Sequence, residues 1–208
     1  VLTVGISASN PPFAFYTADF EIDGFDAALM QAIAGKLGVQ LALVDYAFDG
    51  LPAALQVGQI DAVAAALTMT PERAAIVDFS MPYYLSSEAL LTAPGSSLTK
   101  IDLNSQDFTN LRLGIQRGTV YAAWVKTHLL DTGRLPASNL QQFSREQEIV
   151  LALQEGTIDL GLMDFLPAQE YVRAGEATLA GANQILQQYA VAVRKGSSLL
   201  PQINLALT

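Results

Sequence analysis

Cysteine is absent from the 208 residues, and histidine occurs once, at His128. The first absence removes thiolate catalysis, disulfide frameworks and Cys-ligated metals. The second leaves one ring around which a Ser-His-Asp triad or a two-histidine metal site would have to be built. Positive charge is also scarce: 11 Lys+Arg against 20 Asp+Glu give a net charge of −9. No cationic field is available to attract a phosphate backbone, so nucleic acid is not an expected partner. Charged residues make up 15% of the chain and hydrophobic ones 51%, which excludes a disordered polymer and supplies a sizeable core. The longest apolar stretches, such as Ala62 to Met69, fall far short of the roughly 20 residues that span a bilayer. The first residues, Val1-Leu2-Thr3-Val4-Gly5-Ile6, read as a strand rather than as a basic and then apolar leader.

What is present is an alternation of strand-like and helical patterns, the mark of an α/β protein with parallel strands. Val1–Ile6 reads as a strand, and Gly24–Leu37 as a helix with Phe25, Ala28, Leu29, Ile33 and Leu37 on one face. A strand at Leu41–Val44, a helix at Leu51–Gln56 capped near Gly58 and a buried strand at Ile60–Ala66 complete one βαβαβ set. The scheme recurs with a strand at Leu111–Ile115, a helix at Thr119–Leu130 and a strand at Asn139–Phe143. A further helix opens at Ser144, where Ser144 and Gln147 have capping-box spacing.

The recurrence extends to the residues themselves. Ala54-Leu55-Gln56-Val57-Gly58-Gln59-Ile60-Asp61 returns 98 positions later as Ala152-Leu153-Gln154-Glu155-Gly156-Thr157-Ile158-Asp159, with six of eight positions identical. A period that long indicates two similar lobes rather than a solenoid. The apolar runs Tyr83–Pro94 and Gln188–Val193 read as two hinge crossings. They assign residues 1–88 plus 190–208 to one lobe and 89–189 to the other, each expected to be a mostly parallel sheet flanked by helices.

In open α/β sheets ligands bind beyond the carboxyl ends of the strands. After Ala66 come Thr68 and Thr70-Pro71-Glu72-Arg73, where Thr70 can cap a helix beginning at Pro71. That leaves the Arg73 guanidinium at a helix start, suited to a carboxylate. The alternative is a surface arginine paired with Glu72 or Asp78. After Ile115 come Gln116, Arg117 and Gly118-Thr119-Val120, a turn that bares N–H groups but also resembles any βα turn. After Met163 comes Asp164, which needs a cationic partner or serves as the N-cap of the next helix. An arginine and an aspartate from facing lobes can hold a zwitterion, of which an amino acid is the simplest.

These residues resemble the type II periplasmic binding proteins for amino acids, a family that includes the ligand-binding cores of ionotropic glutamate receptors. The likeness spans the chain. It is carried by Asn10-Pro11-Pro12-Phe13, Gly24-Phe25-Asp26, Thr68 through Arg73, Val77 through Tyr84, Gly118-Thr119, Leu153 through Asp164 and Tyr189-Ala190-Val191-Ala192. The resemblance implies that Arg73 clamps the ligand α-carboxylate with the N–H groups of Thr68 and Val120. It further implies that Asp164 holds the α-ammonium, shared with the Thr68 hydroxyl and the Ala66 carbonyl, and that Phe48 walls the pocket. Ser7 stands where binders of basic amino acids tend to carry an acid, and Asn10 where an aromatic is common. Gln116 adds a polar wall and Met163 an apolar one. A neutral polar or acidic ligand such as glutamine or glutamate follows, with Arg117 able to meet a side-chain carboxylate but expected to face solvent.

The function implied is extracytoplasmic amino-acid binding for the permease of an ABC importer, in the periplasm or outside the cell, without cofactor or metal and without catalysis. One alternative is the sensing domain of a glutamate-receptor-like channel or signalling receptor, whose partner is its own membrane or signalling domain. Another is a dehydratase-like enzyme, which would need a general acid beyond Asp164. Family members usually continue past the helix read from Leu199 onward. His128, one turn after Trp124, reads as packed or solvent-facing. The EF-hand-like spacing of Asp19, Glu21, Asp23 and Gly24 ends on Met30 where a glutamate is required, and so reads as an acidic turn. Tyr83 and Tyr84 are expected to pack at the hinge.

Overall fold

The structure, a computed structural model, describes residues 1–208. In chain order its elements begin with β1 (Leu2–Ile6), β2 (Phe15–Tyr16), β3 (Ile22–Asp23), α1 (Phe25–Leu37), β4 (Leu41–Asp45), α2 (Leu51–Gln56), β5 (Ala62–Val63), α3 (Pro71–Ala74) and β6 (Val77–Phe79). There follow β7 (Tyr84–Thr92), β8 (Leu113–Gln116), α4 (Val120–Val125), β9 (Leu140–Phe143), α5 (Glu146–Gln154), β10 (Leu160–Asp164), α6 (Phe165–Arg173), β11 (Thr178–Tyr189), β12 (Ala192–Arg194) and α7 (Leu199–Leu207). The chain divides into two compact units, Val1–Ser86 with Gln187–Thr208, and Ser87–Leu186.

Each unit holds a five-stranded sheet, ordered β4-β1-β5-β12-β6 in the first and β11-β7-β10-β8-β9 in the second. Three neighbouring strands in each are parallel: β4, β1 and β5 in one, β9, β8 and β10 in the other. Antiparallel pairings extend both sheets: β12 runs antiparallel to both β5 and β6 in the first, and β7 runs antiparallel to β10 in the second. The sheets are therefore mixed. Strand β10 is buried at every position, and its neighbours in sequence go to different clusters. Leu160 and Leu162 join the apolar cluster that holds Leu113, Tyr121 and Val125, while Met163 joins Ile149, Leu153 and Tyr171. A strand covered on both faces needs apolar residues throughout, and each large side chain so buried contributes about 1.5–3 kcal/mol.

The repeated octapeptide performs the same job in both units. Ile60 and Ile158 are buried, and a Cβ on Gly5 or on Gly114 would lie 2.4 Å from their respective Cδ1 atoms. The next residue closes the turn with a reciprocal pair of bonds. Asp61 donates its N–H to Thr3 O at 2.7 Å and accepts the Thr3 N–H at 3.0 Å, and Asp159 does likewise with Arg112 at 2.8 Å and 2.7 Å. Asp159 also takes the Arg112 guanidinium at 2.7 Å, and these bonds hold its carboxyl below the usual range.

Several expected elements differ. In α1 the buried residues are Asp26, Ala27, Met30, Ile33 and Ala34; of the expected face Ile33 is buried and Leu29 and Leu37 pack against the same cluster, whereas Phe25 and Ala28 are exposed. Strand β5 keeps only Ala62–Val63 of the expected Ile60–Ala66, since the chain bends out of the sheet before Ala66, whose φ is 47°. The helix from Val120 passes into a π-turn over Lys126–Leu130, where the Thr127 hydroxyl competes for the carbonyls of Ala123 and Trp124. Helix α5 starts at Glu146 with Arg145 as its cap: Glu148 accepts the N–H groups of both Ser144 and Arg145, and the Ser144 hydroxyl bonds Arg117 instead. The run Gln188–Val193 is split between the end of β11 and the start of β12.

Candidate functional site

In the first unit the expected residues gather beyond the ends of β1 and β5. Thr70 caps the short helix α3 by accepting the Arg73 N–H at 3.2 Å, with Pro71 in the first turn, so the side chain of Arg73 leaves from a fixed backbone. Its Nη1 donates to Thr68 O at 2.6 Å, and the guanidinium lies over the Phe48 ring, 5.6 Å from its centroid. A stacked, tethered guanidinium has lost much of its rotamer freedom before any ligand arrives. Asp78, one of the alternative partners, is taken by Lys195 at 2.8 Å and by the Gly196 N–H at 2.7 Å, which hold its carboxyl below the ordinary range. The Thr68 hydroxyl donates to Gln187 Oε1, leaving its oxygen to accept from a cation.

Ala66 is held in its left-handed conformation by a buried acid: its N–H donates to Asp26 Oδ2 at 2.7 Å. Asp26 reaches it because Phe25 and Asp26 donate their N–H groups to Pro12 O and Phe13 O, docking the start of α1 on the Asn10–Phe13 turn. Ser7, Ser9 and Asn10 are buried at the end of β1 and beyond it, with Ser7 Oγ 3.4 Å from Ser9 Oγ. The side-chain oxygen of Asn10 accepts no hydrogen bond from the protein.

In the second unit the chain turns through Gly118 at φ 76° into Thr119, whose hydroxyl donates to Gln116 O at 2.8 Å and accepts the Ala122 N–H at 3.3 Å. Val120 is thereby fixed as the first residue of α4. Gln116 is buried, and its Nε2 donates to Ser144 O at 3.1 Å. Asp164 ends β10, 8% exposed. Although it occupies the N-cap of α6, its carboxyl makes no capping bond and accepts the hydroxyl of Tyr121 instead.

One expectation needs correction. Met163 does not wall a pocket: it is 1% exposed and packs in the second unit's core, because the residue before Asp164 on a strand must point to the opposite face. Arg117 is half-buried, and its guanidinium bonds Ser144 Oγ and, at the surface, Gln142 O. His128 lies flat on Trp124, with ring centroids 4.6 Å apart. Asp19, Glu21 and Asp23 belong to the β2–β3 hairpin, and no group of three or more His, Asp or Glu side chains is placed to hold a metal. Tyr84 packs with Phe13 and Tyr189, and Tyr83 stacks on Phe25.

Three residues at these sites escaped the sequence reading in their roles. Asp26 lies in the segment Gly24-Phe25-Asp26, but nothing in the chain says that its carboxylate bonds a residue 40 positions away. Tyr121 is one apolar position of a helix until its hydroxyl is seen on Asp164. Glu146 begins α5 as a residue normally exposed, yet is 2% exposed here. Burial, followed by the neighbouring Asp164 charge, pushes its carboxyl well above the usual carboxylate range, against the opposing effect of a bond from the Asp164 N–H.

Residues 2–208 match the family model for bacterial extracellular solute-binding proteins, family 3. The L-cystine-binding protein TcyJ of Escherichia coli strain K12 is 30% identical over 209 residues, covering 99% of this chain and 76% of that protein. The solved structure of an ancestral arginine-binding protein bound to arginine superposes with a TM-score of 0.90 at 36% identity, covering 99% of this chain and 90% of the other. An ancestral arginine-binding protein bound to glutamine gives 0.89 at 35% identity, covering 99% and 89%. With two mixed α/β units and a family match along nearly its whole length, the chain belongs to the bacterial extracellular solute-binding proteins, family 3.

Proposed function

We propose that the protein binds a free L-amino acid outside the cytoplasm as the receptor of an ABC importer, and that the ligand is neutral and polar, with glutamine foremost. The observation that carries this reading is the Arg73 guanidinium, tethered to Thr68 O and stacked on Phe48. Its role is to take the α-carboxylate through a charge-assisted fork, and the N–H groups of Thr68 and Val120 are assigned to the same carboxylate. Asp164, oriented by Tyr121, takes the α-ammonium; the Thr68 oxygen and the Ala66 carbonyl share it. Relatives named for binding cystine and arginine support an amino acid as cargo. A glutamine side chain suits the first unit's uncharged polar group of Ser7, Ser9 and Asn10, whose buried Asn10 oxygen accepts nothing from the protein. Glutamate is less well served, because Arg117 is engaged by Ser144 and Gln142.

Titration calorimetry with L-glutamine tests the roles. Arg73→Ala removes one partner of a desolvated charge pair, a loss of about 3 kcal/mol or more and thus a hundredfold or more in affinity. Asp164→Asn should weaken L-glutamine far more than its deaminated analogue. Unchanged affinity in Arg73→Ala, or equal losses for the two ligands in Asp164→Asn, would overturn the assignment.

A further inference from the structure

Thr68 has its backbone fixed by the segment Gln187–Thr208, which belongs to the same unit. Met69 donates its N–H to Gln188 O at 2.9 Å, Ala190 donates to Leu67 O at 3.1 Å, and Thr68 itself forms an isolated antiparallel bridge with Tyr189. Its carbonyl accepts Arg73 Nη1 at 2.6 Å. This ladder leaves one thing open, the direction of the hydroxyl, because a threonine O–H rotates and can donate or accept. The side chain of Gln187 decides it. Gln187 is 5% exposed, and its Oε1 accepts the hydroxyl of Thr68, itself 8% exposed.

The direction matters because of the ligand group assigned to Thr68. An ammonium carries donors only, so it is met by a lone pair and repelled by a hydroxyl proton. With its proton committed to Gln187, the Thr68 oxygen has only lone pairs left to offer. A hydrogen bond from a charged donor to such an oxygen is about twice as strong as a neutral one, and an acceptor set in advance needs no reorientation when the ligand arrives. An amide oxygen also takes the proton without bringing a further charge into a buried place.

We propose that Gln187 is a positioning residue for amino-acid recognition: by taking the Thr68 proton it holds the Thr68 oxygen as a ready acceptor for the ligand's α-ammonium, and so favours α-amino acids over the same molecules without the amino group. The inference rests on the amino-acid reading of Thr68. Backbone atoms make the ladder to Gln188, Tyr189 and Ala190, so loss of the Gln187 acceptor leaves Thr68 in place and changes only what its hydroxyl presents.

The test is calorimetry at neutral pH with L-glutamine and its deaminated analogue, 4-carbamoylbutanoate; if another of the twenty amino acids binds the parent more tightly, that amino acid and its own deaminated analogue take their place. Gln187→Leu, which has no acceptor, should bind the amino acid about tenfold more weakly, the effect of one hydrogen bond to a charged group, and the analogue with parent affinity. Thr68→Val removes the hydroxyl. In that background Gln187→Leu should cost the amino acid nothing more, whereas a packing role for Gln187 would cost the same with the hydroxyl or without it. Gln187→Glu keeps an acceptor oxygen and should keep the parent's preference for the amino acid; it carries the test where the urea midpoint shows that Gln187→Leu does not fold.

Equal losses for the two ligands in Gln187→Leu, or an undiminished loss in the Thr68→Val background, overturn the inference while leaving amino-acid binding intact. So does a Gln187→Leu preference equal to the parent's, the result expected if the amide were reversed and Thr68 aimed its own proton at the ligand. A preference lost in Gln187→Glu overturns it as well. A parent that binds none of the twenty amino acids overturns the amino-acid reading, and this inference with it.

Discussion

Ala66 shows how a single residue can carry cost for a site. At φ 47° its Cβ is crowded against its own backbone, a conformation that costs about 1–2 kcal/mol outside glycine. The buried Asp26 carboxylate, through its bond to the Ala66 N–H, offsets that cost and aims the Ala66 carbonyl. Asp26→Ala would strand a buried N–H and release the turn. Its expected cost is about 2–3 kcal/mol in urea denaturation, with a weakened L-glutamine affinity as well. Asp26→Asn keeps an acceptor and should lose less. A parent-like midpoint for Asp26→Ala would show that Ala66 is held by something else. The same logic explains why the Arg73 side chain was legible in the sequence while Asp26 and Tyr121 were not. Arg73 announces itself through a local cap, Thr70-Pro71, whereas the other two act on partners 40 and 43 residues distant.

Among the elements, the strongest constraint on the first unit lies where α1 begins. Gly24 has φ 121°, and a Cβ there would stand 2.5 Å from Phe13 O, a backbone atom that cannot swing aside. Gly24→Ala should therefore cost more than about 2 kcal/mol, read as a drop in melting temperature of several degrees. Gly5→Ala meets only the tip of the Ile60 and Leu51 side chains and should cost less. Equal losses for the two would contradict the docking of α1 on the Asn10–Phe13 turn. The repeated octapeptide was visible because its residues do identical work in both units: a buried isoleucine followed by an aspartate that bonds its neighbour strand twice. Element ends were less visible where a side chain decides them: Glu148, accepting the N–H groups of Ser144 and Arg145, places the start of α5 at Glu146.

At the scale of the whole molecule, the proposed ligand is a small zwitterion whose carboxylate suits Arg73 and whose ammonium suits Asp164. Such a ligand stabilises the folded protein by mass action, by about 2.7 kcal/mol at a hundred times its dissociation constant. For a chain of 208 residues that corresponds to a rise of roughly 5–10 °C in melting temperature. The most direct measurement is a thermal-shift screen of the ligand-free protein and of its Arg73→Ala variant against the twenty L-amino acids and L-cystine. The parent should show its largest rise with L-glutamine or another neutral polar amino acid, and Arg73→Ala should show none. A parent whose melting temperature no amino acid raises, or a variant that responds like the parent, would contradict the account.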